Sequence, residues 1–431
     1  MNPHRDLFDP SRWESTEIVQ AHSEAVRICA QLSEQGHVAY FAGGCVRDAM
    51  LGRAPKDFDV ATDAVPDRVR EIFGRRKTLA FGASFGVIGV LPNQKSDSTT
   101  TPTEVATFRS DGDYSDGRRP DEVHFGDAKN DAQRRDFTIN GLFYDPREAR
   151  VIDYVDGEAD LANGILRTIG DPERRFDEDK LRMLRAVRFA TTLGFSVENA
   201  TATAVRDHAQ ELSLVSAERI GAEMRRVIAS VRADVGLRLL IDLRLDEIVL
   251  PGIAEANLHH LSTRLRHRTG MGFEPSMALV LMAIEEAIGD SNLVTKQTKH
   301  WRLSNEESRR ISSAMKLWEA IAEGDKLRWS ELQPKLTHRD IEVAMSVAEA
   351  IVASEGRSRA GIERCGEALS WERDRLDPSP LLTGDTLREA GFKPGPQFRV
   401  WLESVRELQL DGELRTTEEA FEWVRKAAKN Q

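Results

Sequence analysis

Short apolar runs, each closed off by glycine or proline, crowd into the first 155 residues of this chain and then give way to helical spacing. His37 to Phe41, Phe58 to Ala61, Gly86 to Leu91, Glu104 to Phe108 and Val151 to Val155 have the length and composition of strands. Beyond about residue 178 the apolar positions recur at helical intervals between charged faces. The chain therefore reads as α+β, an α/β head followed by an all-helical remainder. Its 431 residues are enough for two to four domains and a substantial core.

With 40% hydrophobic and 30% charged residues, the composition is that of a soluble globular protein. No run approaches the roughly 20 apolar residues of a membrane span, and the opening residues lack a signal peptide's apolar core. A cytoplasmic location and no membrane partner are expected. Cys29, Cys45 and Cys365 are too scattered for a disulfide framework or a zinc site, and Cys45, inside a glycine segment, is expected to be a small buried side chain rather than a nucleophile. A formal charge of −11 argues against a general nucleic-acid binder, so any RNA contact must come from local basic surface.

The segment Gly43-Gly44-Cys45-Val46-Arg47 leads to Asp57-Phe58-Asp59. In a strand, alternate side chains share a face, so Asp57 and Asp59 would project together while Phe58 and Val60 turn inward. Two carboxylates on one face suit magnesium, which prefers oxygen ligands and is commonly shared between one or two carboxylates and a substrate's phosphates. The diglycine lets backbone amides approach such phosphates closely. Together they predict a nucleoside triphosphate site, with Asp57 and Asp59 as its metal ligands. Glu104, at the start of a later strand, is a candidate third carboxylate that helps position the metal or the attacking hydroxyl.

Two further clusters carry arginine. In Arg134-Arg135-Asp136-Phe137-Thr138-Ile139-Asn140-Gly141, the planar guanidinium matches phosphate oxygens, and Asp136 is expected to orient it as a bidentate pair. In the run from Arg175 to Phe189, Asp179, Arg182, Arg185 and Arg188 follow at three-residue steps, a slowly drifting polar stripe if all four lie on one helix. Asp179 could accept from an exocyclic amine and Arg182 donate to a ring nitrogen, a pattern that cytosine and adenine satisfy and uracil and guanine do not. Two polar loops stand nearby: Gln94 to Pro102 joins two strands, and Ser110 to Pro120, with Tyr114 and Arg118-Arg119, could close over a substrate.

The glycine segment with its Asp pair, the Arg-Arg-Asp-Phe-Thr-Ile-Asn cluster and the Glu178-Asp179-x-x-Arg182 run resemble, in order, the motifs of the class II tRNA nucleotidyltransferase and bacterial poly(A) polymerase family. Ser216-Ala217-Glu218-Arg219-Ile220 with Glu223, and Leu382-Thr383-Gly384-Asp385 through Gly391-Phe392-Lys393-Pro394-Gly395-Pro396, match as well, so the resemblance covers most of residues 25–425. It implies a nucleotidyltransferase head with a mixed β-sheet at 1–155, a base-recognising neck at 156–245, a helical body at 246–350 and an RNA-binding helical tail at 351–431. It implies that Gly43, Gly44 and Arg47 hold triphosphate, that Asp57 and Asp59 hold Mg2+, and that Arg135, Asp136, Asp179, Arg182, Arg185 and Arg188 form the nucleotide site. Base choice would rest on Asp179 and Arg182, with the loop Ser110 to Pro120 helping the neck switch from C to A. The chain departs from the pattern at Gly141, where alanine is common. No His-Asp dipeptide of an appended phosphohydrolase occurs, so His259 and His260 are read as ordinary helical residues.

The expected activity is magnesium-dependent, template-independent addition of CCA to the 3′ end of tRNA. ATP and CTP are the expected substrates, with tRNA or another RNA 3′ end as partner and no DNA. Body and tail would meet RNA through backbone and shape, with Lys296, Lys299, Arg302, Arg309 and Arg310, in a stretch that also carries Trp301, as candidate basic elements. A poly(A) polymerase, or an enzyme restricted to A or to CC addition, is the nearest rival. Phe73-Gly74-Arg75-Arg76-Lys77 only partly matches a poly(A) signature, and the final residues are only mildly basic. An RNA-binding protein without catalysis is the rival from another class.

Overall fold

The computed structural model describes residues 4–82, 85–93, 101–112, 122–268 and 272–429. Most of Gln94 to Pro102 and of Ser110 to Pro120, including Tyr114, Arg118 and Arg119, lies outside them. The chain forms two compact units, one of Met1–Glu223 with Leu239–Ile248 and one of Met224–Arg238 with Val249–Gln431.

The first unit is built on strands β1 (Ala39–Ala42), β2 (Val60–Thr62), β3 (Thr78–Gly82), β4 (Val87–Val90) and β5 (Thr103–Thr107), with β6 (Arg109–Asp111), β7 (Val123–Phe125), β8 (Phe143–Asp145) and β9 (Arg150–Ile152) following. Seven of them form one sheet in the order β3-β4-β5-β2-β1-β8-β9, and β6 and β7 pair as a separate ribbon. The sheet is mixed: β2 and β5 run parallel, Val60 facing Val105 and Thr62 facing Thr107, while β1 pairs antiparallel with both β2 and β8. Four of the five expected strands are present with ends shifted by a residue or two, and the fifth, β9, stops at Ile152. β8 escaped the sequence pattern because a three-residue strand, buried at every position, offers no alternation to read.

Helices α1 (Thr16–Glu34), α2 (Gly44–Met50), α3 (Pro66–Phe73), α4 (Ala128–Gln133) and α5 (Gly157–Asn163) accompany the sheet, and α6 (Pro172–Glu178), α7 (Leu181–Leu193) and α8 (Asn199–His208) follow. Ser15 caps α1 by accepting from the Ile18 amide, and the helix buries His22, Ala25, Ile28, Cys29 and Leu32. Around His22 the rings of Phe8, Phe41 and Phe58 gather, Phe41 and Phe58 with centroids 5.7 Å apart. Burying one such ring contributes about 1.5–3 kcal/mol. Phe58 is thus anchored in the core, and it carries an aspartate on either side. Past the sheet the unit is helical but for β10 (Ile165–Leu166) and β11 (Ser196–Val197), a two-residue parallel pair.

The second unit is helical. Apolar helices Phe273–Ile288 and Ile341–Ser354 pack against Asn305–Ala322. Trp301 is fully buried and its indole N–H donates to the Val249 carbonyl at 2.8 Å, so it presents no face for an RNA base, contrary to its place in the expected basic stretch. In that stretch Arg309 pairs with Asp340 at 3.1 Å, Arg310 with Glu342 at 2.7 Å, and Lys296 with Asp290. His259 and His260 lie in helix Leu258–Arg266, as expected. Leu382, Leu387, Trp401, Val405, Ala420 and Val424 form a separate small core near the end of the chain. Among the described residues no helix is long and apolar enough to cross a membrane.

Candidate active site

Asp57 and Asp59 stand just before β2 rather than within it, a correction to their expected place in the strand. The alternation nonetheless holds, because Phe58 is only 4% exposed while both aspartates face solvent. The Asp59 carbonyl accepts from the Ala42 amide at 3.0 Å, which ties the segment to the end of β1. The parallel register Val60 to Val105 sets Asp59 and Glu104 at adjoining positions one residue earlier. Desolvation, then Asp57, then Glu104 push the Asp59 carboxyl up to about 7 against the pull of Arg135. Asp59 keeps solvent-facing surface, so the two neighbouring acids carry the case that the spot favours a cation.

The three carboxylates do not converge into a tight cluster. Among the described residues the group of three or more ligand side chains with donor atoms within 4.8 Å of one another is Asp177, His208 and Glu211. That group is already served by Lys180, whose ammonium lies 2.7 Å from Asp177 and 2.5 Å from Glu211. It is a salt-bridge cluster between α6, the end of α8 and the turn that follows it, and it does not include the aspartate pair.

Gly43 has φ +69°, and a Cβ there would come within 2.8 Å of Arg135 Nη1. Gly44 then begins α2, which brings Arg47 inward to 9% exposure. Arg47 donates to Asn140 Oδ1 at 2.6 Å, and Asn140 Nδ2 donates to Asp136 Oδ1 at 2.9 Å. The other oxygen of Asp136 accepts from Arg185 Nε at 2.8 Å and also from its Nη2. Burial opposes the charge on Asp136, and Arg185, Asn140 and the Phe137 amide together outweigh it, holding the carboxyl down to about 2. Asp136 therefore orients Arg185, not the neighbouring arginines. Those are held by Asp131 on α4, which pairs with Arg134 at 2.6 Å and Arg135 at 2.9 Å. Spacing explains the difference: from Asp131 the two arginines are three and four residues on, within reach around one helical turn.

The arginine stripe also differs from expectation at its start. Asp179 is extended, with φ −151° and ψ 104°, between α6 and α7, so only Arg182, Arg185 and Arg188 share the helix. Its Oδ1 accepts from the Leu181 amide at 3.1 Å, and both oxygens accept from Arg219 Nη2, at 3.1 and 2.8 Å. Arg182 pairs with Glu178 at 2.6 Å and Arg188 with Glu223 at 2.5 Å. Arg47, Arg185 and Arg188 also lie over the Phe189 ring, at 5.1, 5.4 and 3.8 Å from its centroid.

These groups line one cleft of about 480 Å³ containing Gly43, Gly44, Asp59, Asp179 and seven arginines, against three aspartates. A concentration of positive charge in a chain of net −11 suits a polyphosphate. Of the expected residues, Gly43, Gly44, Arg47, Asp59, Arg135, Asp136, Asp179, Arg182, Arg185 and Arg188 line it, whereas Asp57 and Glu104 do not. Asn140, Phe189, Arg219 and Glu223 stood within the motifs without being assigned to the site, and Asp131 lay outside them. Cys45 is 2% exposed and burial pushes its thiol up to about 12, an inert core residue as expected.

The head matches the family model described as Poly A polymerase head domain over residues 39–167, and residues 194–257 match the one described as Probable RNA and SrmB- binding site of polymerase A. The CCA-adding enzyme of Levilactobacillus brevis is 32% identical over 397 residues, 91% of this chain and 94% of that one. The chain belongs to the CCA-adding enzyme family. The member from Lactococcus lactis subsp. cremoris is 33% identical over 413 residues, covering 94% of this chain and 95% of its own. The CCA-adding enzyme of Bacillus stearothermophilus, solved in complex with CTP, aligns with a TM-score of 0.73 at 28% identity over 95% of this chain and 99% of that one. The Thermotoga maritima CCA-adding enzyme complexed with tRNA shares the fold at a TM-score of 0.66 and 18% identity, over 99% of each chain. At Gly141 a Cβ would come within 2.7 Å of Val155 Cγ2 and 3.2 Å of Ile169 Cδ1.

Proposed function

We propose that this chain completes the 3′ end of tRNA with CCA, taking CTP and ATP as substrates without a template. The observation that carries the proposal is that one cleft holds an aspartate of the Asp-x-Asp pair, the glycine turn and the arginines around Asp179 together. The RNA 3′ hydroxyl attacks the α-phosphate, a P–O bond to the RNA forms, the bond to the β-phosphate bridge breaks and pyrophosphate leaves. Arg47, Arg135 and Arg185 supply fixed positive charge where the triphosphate lies, so positioning and electrostatics do most of the catalytic work.

Mg2+ fits the donor set, because Asp57 and Asp59 lie just before β2 with Glu104 on the neighbouring strand, and burial together with these two acids pushes the Asp59 carboxyl up. Asp57 and Asp59 would hold it, with Glu104 beside them; when bound it offsets phosphate charge and activates the attacking hydroxyl. Asp179 and Arg182 select the base. Cytosine and adenine present an amine and a ring acceptor to this pair, while uracil and guanine leave groups unpaired at about 1–3 kcal/mol each. Residues 156–245 act as the neck, with 246–350 and 351–431 as body and tail, and a cytoplasmic location goes with these substrates.

A tRNA transcript ending before CCA, incubated with Mg2+, labelled CTP and then ATP, tests the proposal. Three added residues ending in A are expected. Long A tracts would indicate the poly(A) activity that the relatives' names do not favour, and no product would indicate a non-catalytic RNA binder.

A further inference from the structure

Asp131 is 1% exposed on its side chain, yet its carboxylate serves two arginines that line the cleft. Oδ1 accepts from Nε and Nη2 of Arg134 at 2.9 and 2.6 Å, and Oδ2 accepts from Nε and Nη2 of Arg135 at 3.1 and 2.9 Å. One acid thereby grips the same edge of two guanidinium planes. For Arg135 this leaves Nη1 at the far side, where it donates to the Asn140 carbonyl at 3.2 Å and abuts the backbone of Gly43. The Arg135 guanidinium also lies over the Phe143 ring, 5.0 Å from its centroid.

An arginine side chain carries several rotatable bonds, and aiming it at a ligand costs conformational entropy unless something already holds it. We propose that Asp131 is a positioning residue for the nucleotide's triphosphate, acting through Arg135 and, beside it, Arg134. This rests on the cleft being the nucleotidyl-transfer site. The triphosphate is the target because Arg135 sits against the glycine turn and acts on Asp59, whereas the base-reading Asp179 and Arg182 are held by Arg219 and Glu178. Burial opposes the charge on Asp131, but Arg135 and Arg134 outweigh it and keep its carboxyl below the usual range, so the clamp is ionised. Oδ1 also accepts from the Arg109 amide at 3.4 Å, so a purely structural role, fastening α4 to β6, is the alternative the test must separate.

The test measures equilibrium binding of CTP, ATP and UTP to the full chain for wild type, D131N, R135A and the double variant, with thermal unfolding of each. D131N is expected to weaken CTP and ATP by the same factor, about tenfold, with the preference over UTP retained, and to add less than about twofold once Arg135 is already alanine. Folded D131N with wild-type affinity, unequal losses for CTP and ATP, or an undiminished effect in the R135A background would each overturn the proposal. If D131N does not fold, D131E takes its place with the same expectations, since it keeps the charge but displaces it by one methylene. Wild type that binds both nucleotides but extends no tRNA would overturn the activity and leave the Asp131 measurement standing. Wild type that binds neither would overturn both.

Discussion

Asp179 and Arg219 meet across 40 positions of sequence, with Arg219 Nη2 donating to both carboxylate oxygens at 3.1 and 2.8 Å. Asp179 lies outside helix α7, so helical geometry does not aim its side chain; Arg219 and the Leu181 amide do. On the proposed base-reading role, an incoming amine would share or displace that arginine.

Replacing Arg219 with glutamine should therefore erode base choice more than turnover. The preference for CTP over UTP is expected to fall by about tenfold, the value of one well-placed hydrogen bond, with kcat for CTP changed less. Asp179→Ala should act in the same direction and more strongly. Competitive incorporation of CTP and UTP measures both, and equal losses for all nucleotides would remove the base-reading role from this pair.

Asp59→Ala removes the carboxylate most crowded by its neighbours. Nucleotide addition should fall by about a thousandfold or more, while CTP affinity falls much less, because the arginines that surround the triphosphate remain. Single-turnover extension alongside equilibrium dialysis separates the two, and a variant that still adds nucleotides at the wild-type rate would refute the assignment.

The two glycines should respond differently to alanine. Gly43 combines φ +69° with a Cβ contact of 2.8 Å to Arg135, so Gly43→Ala is expected to cost about 1–3 kcal/mol of stability and to displace that arginine. Gly44 has no such φ, and its nearest Cβ neighbour, Arg47 Nη2, is at an ordinary 3.8 Å. Gly44→Ala should keep the wild-type melting temperature and weaken nucleotide binding through lost backbone approach. Thermal unfolding and CTP binding of both variants check this.

Arg185→Met leaves Asp136, 8% exposed, without its guanidinium, at a cost of about 1–3 kcal/mol near neutral pH. The folded-state carboxyl of Asp136 is held down to about 2, below the ordinary 3.8, so its stabilising contribution is present above about pH 3.8 and is lost as pH falls towards 2. The gap in urea midpoint between wild type and variant should accordingly narrow from near-neutral pH to about pH 3. A gap that widened on acidification would contradict the pairing.

Much of this was open to inspection in the one-dimensional chain. The change from short bounded runs to helical spacing placed the sheet before residue 155, and the alternation around Phe58 put both aspartates outward, because burial patterns are local and a pleated backbone converts them directly into faces. Residue types suited to chemistry, such as the diglycine and the clustered arginines, were legible in the same way, and the fold brings them to one cleft. Partnership was another matter. Asp136 went to Arg185 rather than to the arginines beside it, Asp131 took those, Asp179 left its helix to meet Arg219, and Trp301 turned inward. Which acid neutralises which arginine depends on distances across the cleft between segments remote in sequence, and on the low tolerance of buried charge for any geometry but a close one. Only the packed chain sets those distances.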